Sequence, residues 1–171
     1  MTISFRRLTT GHDVQGKSVL VDDARIAEGT LGNFNFWMTG PDGGDGAANI
    51  PFFPAPGGSI FRVFRLPPSN PQSTANQLAA MVDEFLRDVG SPDCRVDTSR
   101  HPLMHVTPTT DYVMLLSGAV SLLLDVGEPI PLQPFDCVVQ RATNHAWIVT
   151  GSEPAVLLAV MSGVVARDHQ T

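Results

Sequence analysis

Two stretches decide how this chain is read: His105-Val-Thr-Pro-Thr-Thr-Asp-Tyr-Val-Met-Leu-Leu-Ser-Gly118 and Pro134-Phe-Asp-Cys-Val-Val-Gln-Arg-Ala-Thr-Asn-His-Ala-Trp147. Both are short apolar runs punctuated by turn residues. They lie within a series of apolar segments at 102–107, 111–117, 119–126, 129–133, 136–140, 145–150 and 155–162. Ser117-Gly118, Gly127-Glu128 and Gly151-Ser-Glu-Pro154 separate several of them. Turn signals at intervals of about 8–12 residues predict an all-β sandwich or barrel. Residues two apart on a strand share a face. The reading therefore places His105 and Thr107 together, lets Asp111 open the next strand, and gives His145 and Trp147 one interior-facing parity.

The segments upstream fit the same class. Residues 2–8 and 18–22 read as strands joined by a turn around Gly11-His-Asp13, and 33–38 and 59–66 as two more. In the last of these, Ile60, Arg62 and Phe64 oppose Phe61, Val63 and Arg65. Between them, residues 40–58 are dense in glycine and proline, and a loop this long is usually functional or mobile. It is a candidate for restricting access to a pocket. One helix is expected near residues 74–89, where Leu78, Met81, Val82, Phe85 and Val89 recur at helical spacing. Ser73 or Thr74 can cap its start and Gly90 its end.

Composition narrows the function. The 171 residues are 43% hydrophobic and 16% charged, enough to build a core and too apolar for a disordered chain. The net charge is −6, and Lys17 is the only lysine. Nucleic-acid binding needs clustered basic residues, so it is not expected. No apolar run reaches the roughly 18 residues of a membrane span, and MTISFRRLTT lacks a secretory apolar region. Two cysteines make no disulfide framework. A cytoplasmic protein is expected. No Gly-rich phosphate loop opens a helix, so no nucleotide cofactor is expected, and no nucleophile elbow occurs.

The two stretches resemble the paired motifs of the cupin superfamily. His105 fits the first histidine of the family's first motif, Thr107 takes the place of the second, and Asp111 and Gly118 keep its Glu-to-Gly spacing. Pro134 and Asp136 fit the turn that opens the second motif, with Phe135 in place of its glycine. Gln140 and Ala142 stand at its later Pro and Gly positions, His145 fits its histidine, and Val149 falls on its Asn. The resemblance covers residues 100–163 well and the first hundred poorly. It is greatest to small bacterial and fungal cupins with His-x-Thr, Asp-Tyr and Asn-His-Ala-Trp at these positions.

The resemblance implies a double-stranded β-helix, the cupin jelly-roll barrel, with one covering helix. The expected organisation is one domain: strands, loop and helix in 1–99 packed on a barrel core in 100–165, followed by a tail at 166–171. It implies a site of His105, Asp111 and His145, which would serve both as catalytic residues and as ligands to one divalent metal: Fe, Mn, Ni or Zn. Two imidazoles and a carboxylate with open positions suit non-haem Fe(II) best. Thr107, Gln140 and Trp147 would contact substrate. The function implied is a mononuclear-metal enzyme, dioxygenase-like or decarboxylase- or isomerase-like, acting on a small organic carbonyl or carboxylate compound. The alternatives are a metal-free small-molecule-binding protein, and a metal-free enzyme with His105 or His145 as general base and Asp111 as its orienter. A homodimer is expected, with Phe5, Phe34 and Phe36 as interface residues. His101, His12 and His169 are left out of the site.

Overall fold

The computed structural model describes residues 3–29, 32–40, 46 and 50–164. The 166–171 tail with His169, and most of the loop at 41–49, lie outside these residues. Among the described residues, ten strands and one α-helix follow in order: β1 (Ser4–His12), β2 (Ser18–Ala27), β3 (Asn33–Thr39), β4 (Ser59–Leu66), α1 (Ala75–Asp88), β5 (Thr109–Ser117), β6 (Val120–Leu124), β7 (Ile130–Leu132), β8 (Cys137–Arg141), β9 (His145–Val149) and β10 (Ala155–Gly163).

These strands form a five-stranded sheet in the order β3-β4-β10-β5-β8 and a three-stranded sheet in the order β7-β6-β9. All pairings are antiparallel. The two sheets face each other as the halves of a double-stranded β-helix. Strict alternation builds the core between them: every second residue of β10 is buried, from Ala155 to Gly163. Leu115, Leu157 and Ile60 of the larger sheet meet Val120, Leu122, Trp147 and Val149 of the smaller one. Fully burying one such side chain contributes about 1.5–3 kcal/mol.

The first hundred residues contribute more than a layer laid on the barrel. β4 lies between β3 and β10 inside the larger sheet, so two barrel strands come from the part of the chain that resembles cupins least. β1 and β2 form a separate hairpin over the outer face of that sheet. There Phe5 sets its ring edge-on to Phe34 and Phe36, with centroids 4.9 and 5.7 Å apart. Arg7 donates to the Phe36 carbonyl at 3.0 Å and pairs with Asp22. Phe34 and Phe36 are thus covered by the chain's own hairpin.

Helix α1 starts where Thr74 forms a capping box with Gln77. Its inward residue is Leu86, flanked by the half-buried Leu78, Val82, Phe85 and Val89, whereas Met81 is 54% exposed. Four of the five residues expected on the inward stripe are there, with Leu86 in addition and Met81 turned out to solvent. Residues 102–107 do not form a strand; only His105 pairs, in an isolated bridge to His145. Both cysteines are free: Cys94 is buried, and Cys137 is exposed on the edge strand β8. Tyr112 also faces outward.

Turn chemistry explains the motif glycine. Gly118 has φ 88°, and a Cβ there would lie 2.7 Å from the Ala155 Cα. Phe135 and Ala142, in the place of two family glycines, keep left-handed backbone at φ 77° and 47°.

Candidate functional site

The site is set by a single backbone pairing. The His105 amide donates to the His145 carbonyl at 2.9 Å, and the His145 amide donates back at 3.0 Å. A reciprocal pair of this kind places two side chains next to each other on one face. The two imidazole centroids are 4.5 Å apart. His145 opens β9 and is buried, and Trp147, two residues on, stands edge-on to it at 5.7 Å. On the other side Phe52 approaches His105 at 6.4 Å and Phe85 at 5.3 Å.

Local carbonyls fix the tautomers. His105 Nδ1 lies 3.0 Å from the Leu103 carbonyl, and His145 Nδ1 lies 3.0 Å from the Thr143 carbonyl. A carbonyl oxygen only accepts, so each Nδ1 carries the proton. Each Nε2 is left with a free lone pair. Burial keeps both rings neutral: it lowers the His105 pKa, and it holds His145 at about 3, with His105 adding to the effect. Orientation thus comes from the chain two residues upstream of each ring, and Asp111 is not the orienter.

Asp111 stands elsewhere on the interior, on β5. It is buried, and Thr107 Oγ1 donates to its Oδ2 at 3.3 Å. Thr109, fully buried, donates to Thr107 at 2.8 Å. Burial raises the Asp111 pKa, against Thr109, Thr107 and Arg62, which lower it. Arg62 of β4 is 4% exposed, and burial lowers its pKa to about 10, with Asp111 opposing the shift. The guanidinium donates to the Phe52 carbonyl at 3.0 Å and the Pro51 carbonyl at 2.6 Å. Asp111 Oδ1 and Arg62 Nε have no hydrogen-bond partner.

The three residues implied as metal ligands are therefore divided into a histidine pair and a carboxylate held by two hydroxyls beside a buried cation. Among the described residues, no three His, Cys, Asp or Glu side chains are grouped so as to hold a metal ion. The Asp111 carboxylate is engaged by the Thr107 hydroxyl, and no imidazole is among its hydrogen-bond partners. The donors as arranged do not fit a three-ligand metal centre.

The remaining expected contacts separate. Trp147 walls the histidine pair. The Gln140 amide donates to the Thr143 carbonyl at 2.9 Å and pairs with its hydroxyl, closing the turn that presents His145. Arg62, Thr109 and Phe52 were not singled out by the motifs. Strand parity places Arg62 with Ile60 and Phe64, which was the one available signal that a charge lies inside.

No family model matches this chain. Among curated proteins, it is 49% identical over 45 residues to phomopsin biosynthesis cluster protein C' of Diaporthe leptostromiformis, covering 26% of this chain and 24% of that one. It is 42% identical over 50 residues to the cupin-domain-containing oxidoreductase fogC of Aspergillus ruber, covering 29% and 25%. The matched part is about a quarter of each relative's length. Among solved structures, a cupin 2 domain-containing protein from Halorhodospira halophila has a TM-score of 0.43 at 17% identity, covering 94% of this chain and 78% of that one. The Schizosaccharomyces pombe Cnp3 cupin domain has a TM-score of 0.45 at 8% identity, covering 94% and 83%. Among the described residues, no helix is long and apolar enough to cross a membrane.

Proposed function

We propose that this chain, with the cupin-type double-stranded β-helix described above, is an enzyme acting on a small organic carbonyl or carboxylate compound by acid–base chemistry at His105 and His145. One observation carries this reading: two neighbouring neutral imidazoles, each with Nδ1 bound to a carbonyl and Nε2 free. A general base needs an unencumbered lone pair within reach of the proton it takes. One Nε2 removes a proton next to the carbonyl, and the imidazolium so formed returns it at another atom. Burial makes both rings weak bases at rest. An enolate forming beside them offsets that desolvation, so proton uptake is favoured when negative charge develops. Trp147 and Phe52 add apolar surface beside the pair.

The test is deuterium uptake at carbon, followed by NMR in D2O with chelator present, for small enolisable carbonyl compounds such as pyruvate and acetylacetone. Enzyme-dependent exchange is expected, and it falls at least a hundredfold in His145→Gln and His105→Gln. Exchange that persists in both variants would refute the reading.

The match to cupin-domain-containing oxidoreductases favours a second reading, metal-dependent oxidation. Elemental analysis of protein purified without chelator, wild type beside His105→Ala, separates the two. Near-stoichiometric metal lost in the variant supports oxidation, and its absence after anaerobic Fe(II) addition supports acid–base chemistry.

A further inference from the structure

The backbone holds the two histidines unequally. His145 opens β9, whose ladder with β6 sets it against Leu124. His105 lies outside the strands, and the bridge to His145 is its one strand-like pairing among the described residues. Its position needs another source, and Arg95 supplies one. The Arg95 side chain, 12% exposed, donates through Nη1 to the Pro102 carbonyl and, at 2.9 Å, to the Met104 carbonyl. These two peptide groups flank the Leu103 carbonyl, which accepts from His105 Nδ1. Arg95 Nε donates to Asp83 of α1 at 2.8 Å, which anchors the guanidinium from the other side. Gln140, buried on β8, stands in the same relation to the second ring. Its amide donates at 2.9 Å to the Thr143 carbonyl, the oxygen that also accepts from His145 Nδ1 at 3.0 Å.

We infer that Arg95 and Gln140 are the positioning residues of the pair, one for each ring, and that each acts through the carbonyl that fixes its ring's tautomer. A carbonyl oxygen has two lone pairs and only accepts. The Thr143 oxygen gives one lone pair to Gln140 and keeps the other aimed at His145 Nδ1–H. Were that carbonyl to turn away, the neutral ring would be free to carry its proton on Nε2, and the lone pair a general base uses there would be lost. The Leu103 carbonyl is fixed in the same way, by a guanidinium that grips the peptide groups on both sides of it. Lysine keeps the charge on one flexible nitrogen and has no second donor atom to span Asp83 and the turn. Gln140 thus serves the site through its turn and not by touching substrate. The catalytic consequence rests on the acid–base reading, whereas the tautomers themselves do not.

Long-range proton–nitrogen correlation NMR of the nitrogen-labelled full chain reads the tautomers directly, with His105→Gln and His145→Gln assigning the two rings. Both rings of the wild type are expected in the Nδ1–H form. Arg95→Lys lowers the ratio of Nδ1–H to Nε2–H in His105 about fivefold, the equivalent of one net hydrogen bond of about 1 kcal/mol, and leaves His145 unchanged. Gln140→Met does the same to His145 and leaves His105 unchanged. Asp83→Ala, at an exposed position on α1, shifts His105 in the same direction by less, and it decides the matter should Arg95→Lys not fold. A general loss of structure would not separate the rings in this way. Rings that shift together, or do not shift in folded variants, overturn the inference. In the deuterium-exchange assay kcat falls in the same proportion while KM holds. Absence of exchange in the wild type refutes the acid–base reading and leaves the tautomer assignment standing, so the two failures are told apart.

Discussion

Acidification reports directly on the histidine pair. His145 is neutral when folded and has its pKa held at about 3, whereas in the unfolded chain it titrates near its ordinary 6.5. Between those values the unfolded state binds a proton that the folded state refuses. Stability is therefore complete above pH 6.5 and falls as the pH drops toward 3. Lowering the pH from 7.5 to 5.5 crosses the unfolded pKa by one unit, so His145 alone withdraws about 1.4 kcal/mol. His105 is shifted in the same direction by burial and adds to the loss. His101, partly exposed, adds less. Asp111 acts in the opposite sense: its raised pKa makes the folded state hold a proton above 3.8, so acidification there is stabilising and tempers the loss at the acid end. Urea unfolding of chelator-treated protein at both pH values measures the drop. In His145→Gln the stability at pH 7.5 is lower, but the difference between the two pH values shrinks by about 1.4 kcal/mol. An undiminished difference in the variant would show that His145 titrates alike in the folded and unfolded chain, and that burial does not hold its ring neutral at pH 5.5.

Three further outcomes follow from the backbone and the core. Phe135 is 73% exposed with φ 77°, so Phe135→Gly relieves left-handed strain while losing little packing, and urea midpoints are expected to rise by an equivalent of about 1 kcal/mol. Gly118→Ala forces a Cβ against the backbone of Ala155 at positive φ and is expected to destabilise by about 2 kcal/mol or more, read as a lowered Tm. Leu157→Ala empties a fully buried position between the two sheets and is expected to lose about 3 kcal/mol in chemical denaturation.

The order of strands from residue 109 onward was legible because alternation and turn residues are local signals. β5, β6, β9 and β10 fall where apolar runs end at or next to Gly or Asp, and β8 follows the turn at Pro134 and Asp136. The place of β4 was not legible. Its segment reads as a strand, but nothing local says that it pairs with β10, more than ninety residues later in sequence. The inward stripe of α1 was legible but for one residue: periodicity gives a face to within a residue or so, and tertiary contact chooses Leu86 over Met81.

The site shows the same division between local and non-local information. Motif spacing picked out His105 and His145, and the cross-strand bridge does join them. Spacing cannot tell how far a side chain reaches, and the shorter aspartate changes which partners Asp111 finds. Its carboxylate meets Thr107, and the nearest buried charge is Arg62, which arrives from the segment with no motif. Residues 107 and 111 are coupled in this chain: hydrogen bonds run from Thr109 through Thr107 to Asp111, so changing either leaves a buried carboxylate or hydroxyl poorly matched. That coupling makes restoring a metal site a two-residue matter. Thr107→His alone removes the hydroxyl that Asp111 accepts from. Thr107→His with Asp111→Glu supplies both the ring and the reach, and only the double variant is expected to bind a divalent cation with an affinity measurable by titration calorimetry. Tight binding by wild-type protein would contradict the division of the site described above.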